Sequence, residues 1–186
     1  MTVYTVGHGT RSTEGFAEVL RSAGVPGIVD VRRFPRSRRH PHFAREALER
    51  SLPGLGLAYE WRGEALGGRR TRAAQTRSRH GALRVAGFSA FADHMDTDTF
   101  RHALSELEEG ARRGSPVAIM CAETLWWRCH RRLIADALVA HGFDVRHLID
   151  AGKEPQRHVL HASARIEDGR PVYDVGVTPP LLRRDA

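Results

Sequence analysis

The sequence predicts a single three-layer α/β domain: a mostly parallel central sheet of about five strands, helices on both faces, and a hairpin-like C-terminal extension. Three observations lead there. Short apolar runs alternate with amphipathic helical stretches from the first residues onward, the pattern of βαβ units. One run, Pro116-Val117-Ala118-Ile119-Met120, is apolar on both faces, as a strand covered on two sides must be. The length of 186 residues, 41% of them apolar, suffices for one real core. The expected layout is one domain over residues 1–186, with a core over 1–150 and an extension over 151–186 packed on it.

Each element follows from its local pattern. Val3 to Val6 reads as a buried strand that ends in Gly7-His8-Gly9-Thr10-Arg11. Ser12 or Thr13 caps the next helix, whose apolar stripe is Phe16, Val19, Leu20 and Ala23, and Gly24 stops it. Gly27 to Val31 is a second apolar strand, parallel to the first because a helix separates them. Phe43 to Leu52 reads as a short amphipathic helix and Leu57 to Trp61 as a third strand. Phe88 to Met95 and Thr99 to Arg112 are helical, the latter with Phe100, Ala103, Leu104 and Leu107 in register. After Pro116 to Met120 comes a helix carrying Leu133, Ile134, Ala137, Leu138 and His141, then a fifth strand, Val145 to Ile149. Asp168-Gly169 supplies a turn between two extended tail segments.

Composition narrows the function classes. The longest apolar runs are too short and too often interrupted by charge to span a bilayer. The N-terminus lacks a basic region followed by an apolar run, so no secretory signal and a cytoplasmic location are expected. Cys121 and Cys129, the only cysteines, are then expected to be reduced thiols. The net charge of +7 is carried almost wholly by arginine, whose planar fork suits phosphate or carboxylate. Arginine usage also follows genome composition, so charge alone is weak evidence for nucleic acid.

Four polar segments leave predicted strands where loops of a parallel sheet converge on one crevice. They are Gly7 to Arg11, Asp30 to Arg38, Leu66 to Arg70 and Cys121 to Arg132. In the last, Arg128 is expected to open a helix whose free N–H groups attract an anion and favour a Cys121 thiolate. The layout resembles the cysteine-loop-arginine cradle of phosphatases and rhodaneses, but with a longer loop that contains no glycine. Glu123, beside Trp126 and Trp127, is a second candidate for acid/base or nucleophilic work, weighed against a plain Arg–Glu ion pair. His8 can carry a proton and Asp30 can orient it; Cys121, Glu123, His8 and Asp30 are therefore the catalytic candidates. Arg11, Arg32, Arg38, Arg69, Trp127, Arg128, His130 and Arg131 are the substrate-binding candidates. His130 falls on the apolar stripe of its helix, which also suits a half-buried histidine. The spacing of Cys121, Cys129, His130 and His8 matches no standard zinc knuckle, so no metal or other cofactor is expected. The stretch Arg69 to Arg84 holds six arginines and no carboxylate, and reads either as a polynucleotide track or as solvated loop.

Together these motifs resemble the prokaryotic family called domain of unknown function 488. Val6 to Arg11, Val29 to Arg38, Leu66-Gly67-Gly68-Arg69, and Met120 to Glu123 with Trp127 to Arg131 carry the resemblance, in order, over nearly the whole chain. One departure is Gly9, where many members have serine. The resemblance implies a His-, Asp-, Cys-, Glu- and Arg-rich pocket and leaves the reaction open. The sequence ranks first an enzyme acting on a phosphorylated or nucleotide-like anion. The alternative is a nucleic-acid-binding or regulatory module without catalysis, and third a purely structural network.

Overall fold

In the computed structural model, which describes residues 1–71, 78–114 and 117–177, five parallel strands and one short antiparallel strand form the central sheet. In chain order the strands are β1 (Thr2–Gly7), β2 (Gly27–Asp30), β3 (Ala58–Trp61), β4 (Val117–Cys121), β5 (Asp144–Leu148) and β6 (Gln156–Arg157). Their spatial order is β3-β2-β4-β1-β5-β6. The apolar run over residues 117–121 is indeed central, with β2 on one side and β1 on the other. β6 exceeds the expected five strands; two residues are too few to show an alternation in sequence. It pairs antiparallel with β5.

Among the described residues six α-helices flank the sheet: α1 (Thr13–Ser22), α2 (Arg45–Gly54), α3 (Gly63–Leu66), α4 (Ala86–Met95), α5 (Asp98–Arg112) and α6 (Arg131–Ala140). The Ser12 hydroxyl accepts the Gly15 N–H at 3.1 Å and starts α1, as its position before the apolar stripe predicts. Phe16, Leu20, Phe43, Leu48 and Leu52, from α1, α2 and the turn before α2, bury one face of the sheet against Val6, Ile28, Ala118 and Met120. Phe100, Leu104, Leu107, Leu133, Ile134 and Leu138 bury the other face against Val3, Val29, Ile119 and Val145. Alternation along β4 therefore feeds two cores.

The tail forms an antiparallel hairpin of β7 (Ala164–Glu167) and β8 (Arg170–Tyr173), turning at Asp168, whose φ is +50°, and Gly169. The hairpin is pinned to α6 by polar contacts. Asp136, with no exposed surface, accepts the Tyr173 hydroxyl at 2.8 Å, the His161 N–H at 3.0 Å and His158 Nε2 at 2.8 Å. A polar residue at a core position of α6 thus adds directed bonds to the apolar packing of Tyr173. Among the described residues no helix is long and apolar enough to cross a membrane.

One expected boundary moves. Arg128 does not open α6: Trp126–Arg128 is a separate 3-10 turn, Cys129 is extended, and the helix begins at Arg131. Part of the arginine-rich stretch (residues 72–77), and Pro116 of the predicted fourth strand, lie outside the described residues.

Candidate functional site

Parallel register brings three strand ends together. Gly7 lies beside Cys121 and Asp30 beside Met120, so β1 and β2 end on either side of β4. The ladder continues past them, with His8 N–H to Cys121 O and Val31 N–H to Met120 O, both at 3.0 Å. Gly7 is required where it stands: a Cβ there would lie 2.0 Å from the Glu123 carbonyl oxygen. The loop leaving β4 therefore lies directly on the end of β1.

On the α1/α2 side of the sheet, Asp30, His8 and Arg32 form one buried network. Asp30 receives the Arg32 fork, Nε at 2.9 Å and NH2 at 2.6 Å, together with the Tyr59 hydroxyl at 2.8 Å. His8 Nδ1–H donates to Gly9 O at 2.9 Å, which leaves Nε2 to accept from Arg32 NH1 at 3.3 Å. Its ring stacks on Phe43 at 4.1 Å. Burial and then the Arg32 charge push the His8 pKa down to about 4, so this histidine is neutral near pH 7. Asp30 and Arg32 thus satisfy one another at the end of β2.

On the opposite side lie Cys121, Cys129 and His130. His130 Nε2–H donates to Val31 O at 3.1 Å, so its Nδ1 lone pair faces both sulfurs. Nδ1 stands 3.8 Å from Cys121 Sγ and 3.6 Å from Cys129 Sγ. All three ligand atoms fall within 4.8 Å of one another. A hydrogen bond from the Cys129 thiol holds the Cys121 pKa well below the usual thiol range against its burial; His130 and Arg131 add to this. Burial, and then the bond to Cys121, push the Cys129 thiol up. The His130 ring is also walled in: a Cβ on Gly68 would come within 2.8 Å of it.

Arg131 is wholly buried and sends its fork to the carbonyls of Glu123 and Thr124, the latter at 2.8 Å. Arg131 is the first residue of α6, and its fork is taken up by the loop leaving β4. Arg11 is similarly engaged, bonding Gly7 O at 3.0 Å, Ile149 O, and Asp150 at 3.2 Å. Glu123 is exposed, and its carboxylate accepts the Leu125 N–H at 3.2 Å. Its carboxyl is thus not desolvated, and among the described residues it makes no ion pair with an arginine. Trp126 turns inward and stacks on His147 at 4.1 Å, which leaves Trp127 outside, 44% exposed. Arg38, Arg69 and Arg128 are exposed; Arg38 and Arg128 make no ion pair among the described residues.

The chain matches the family model described as Domain of unknown function DUF488 over residues 12–138. It belongs to that family. The matched span contains the strand ends Asp30 to Arg38 and the whole Cys121 to Arg132 segment; His8 and Arg11 lie just before it. No curated protein and no solved structure matches the chain.

A second polar network escaped the sequence. Thr5 Oγ1–H donates to His147 Nδ1 at 2.6 Å, His147 Nε2–H to His158 Nδ1 at 2.9 Å, and His158 Nε2–H to Asp136. Burial, then the facing His158 and Arg131, push the His147 pKa down to about 3. The available signal was Thr5 between Val3 and Gly7 and His147 alternating with Val145, inward positions that pair in register. Two cavities, of about 300 and 450 Å³, lie elsewhere. One is beneath α4, α5 and the hairpin, the other at the β2–β3 edge near α5, and neither is lined by the Cys121 cluster.

Proposed function

We propose that the chain is an enzyme acting on a small phosphorylated or nucleotide-like anion bound where β1, β2 and β4 end. One observation carries this reading: a cluster of reactive side chains, Cys121, Cys129 and His130, sits at the end of the central strand beneath a loop that exposes Trp127 and Arg128. Thiols and a histidine held this close are a chemical centre, and unpaired surface arginines beside it supply an anion's charge-assisted bonds. Arg128 binds the anion, with Arg38 and Arg69 on neighbouring loops, and Trp127 offers a face for a base or sugar. Cys121 takes the chemical role with His130 against it. Arg131, Arg11, Arg32, Asp30 and His8 hold the frame, and Glu123, in solvent, is left a secondary role.

The test is a turnover screen with phosphate esters, nucleosides and thiosulfate. Cys121→Ser is expected to abolish the activity found while leaving the fold intact, and Arg128→Ala to raise KM more than it lowers kcat. No turnover across the screen, or full activity in Cys121→Ser, rejects the reading.

A further inference from the structure

We propose that Cys121, Cys129 and His130 bind a thiophilic divalent metal ion, zinc foremost, through two sulfurs and one imidazole nitrogen, with the fourth position open toward solvent. The inference rests on the preceding reading only for what would approach that fourth position; the metal site stands on its own geometry.

The distances fit a tetrahedral ion held between the three atoms. Tetrahedral zinc, with sulfur at about 2.3 Å and imidazole nitrogen at about 2.0–2.1 Å, sets sulfur–nitrogen edges of about 3.6 Å. The two observed edges are 3.6 and 3.8 Å. Both are ordinary sulfur contact distances, and Nδ1 is aimed at both sulfurs at once. A single lone pair cannot serve two sulfurs well, whereas a cation between the three atoms satisfies all of them.

The surroundings match what a metal-bound histidine requires. Its other nitrogen donates to a backbone carbonyl, here Val31 O at 3.1 Å, which fixes tautomer and ring orientation. Phe91 lies edge-on to the ring at 5.0 Å and Gly68 leaves no room behind it, so the ring cannot swing away. Two thiolates neutralise a doubly charged ion in a buried place, and soft sulfur selects zinc over magnesium or calcium. The sequence hid the site because Cys129 and His130 are adjacent; the extended Cys129 followed by the turn at His130 aims both side chains at one point. Three protein ligands are the number at which zinc keeps a position for water or substrate. Cys121 keeps 8% of its surface exposed and the exposed Ala122 and Glu123 follow it, the side from which a fourth ligand would have to approach.

The experiment uses the full chain, purified reduced, stripped with chelator and titrated with cobalt(II) alone and then with zinc(II). Expected are one equivalent bound, an intense visible d–d spectrum of a tetrahedral site, a sulfur-to-cobalt charge-transfer band in the near ultraviolet, and displacement by zinc. Cys121→Ser, Cys129→Ser and His130→Gln, each checked for fold by circular dichroism, are expected to lose the charge-transfer intensity or weaken binding by more than the roughly 100-fold that changes around a metal site cause. Absence of the charge-transfer band in the wild-type chain overturns the proposal, as does a Cys121–Cys129 disulfide that forms while the reduced chain takes no metal. Folded variants that bind like wild type overturn it too. Because the spectrum is read without substrate, metal binding with no turnover would remove the enzyme reading and keep the metal. Cys121-dependent turnover in a reduced chain that takes up no cobalt or zinc would do the reverse.

Discussion

Acid should unfold this protein through His147, by an amount the structure allows to be worked out. His147 has no exposed surface, and Thr5, His158, the Trp126 face and the nearby Arg131 surround it. Its pKa falls from 6.5 to about 3 on folding. Below pH 6.5 the unfolded chain takes up a proton here that the folded chain refuses. Stability is therefore full above 6.5 and is lost as pH falls toward 3, at about 1.4 kcal/mol per pH unit for one group. Over the whole window this comes to about 5 kcal/mol, comparable with the entire stability of many domains. His8, lowered to about 4, acts in the same direction. The assay is urea unfolding of wild type and His147→Gln at several pH values between about 7 and about 4. Gln removes the titration, and His8 is common to both proteins. The wild-type stability should fall more steeply by about 1.4 kcal/mol per pH unit between about pH 6 and about pH 4. Parallel slopes would refute the reasoning, whatever the absolute stabilities.

Other expectations follow from single contacts. Asp136→Ala leaves His158, His161 and the Tyr173 hydroxyl without an acceptor and should cost about 3–5 kcal/mol in urea unfolding, against about 1.5–3 for Tyr173→Phe; equal, small effects would contradict the network. Gly7→Ala forces a Cβ into the Glu123 carbonyl and should lower the melting temperature by the equivalent of about 1–3 kcal/mol, so a wild-type melt argues against that contact. Arg131→Leu removes the donors to Glu123 and Thr124. Faster amide exchange over residues 122–125 is expected, and unchanged protection would show the clamp to be idle. Arg128→Ala should leave stability within about 0.5 kcal/mol while weakening anion binding, and a large stability loss would count against its surface role.

The architecture was legible because apolar periodicity reports burial directly: Val117 to Met120 reads as a two-sided strand and is one. Charged residues were harder, because sequence shows that an arginine is present and not what it has already bonded. Arg32, Arg131 and Arg11 looked like free cations; Asp30 and backbone carbonyls occupy them. Arg128 kept its solvent position because the chain folds a 3-10 turn there and delays α6. His147, His158 and Asp136 stayed hidden because they meet across elements far apart in sequence, and only register and packing bring them together.

The Asp136 anchor also sets a timetable. A carboxylate in α6 that is buried in the finished fold has its acceptor bonds met by His158, His161 and Tyr173, all later in the chain. While a ribosome is still making the hairpin, α6 and β4 are already available, but closing them over the core would bury that carboxylate without partners. Full closure of the nascent sheet is thus expected to be disfavoured until Tyr173 has emerged. A chain stalled before that residue should be a ready target for proteolysis, and one released after it should resist.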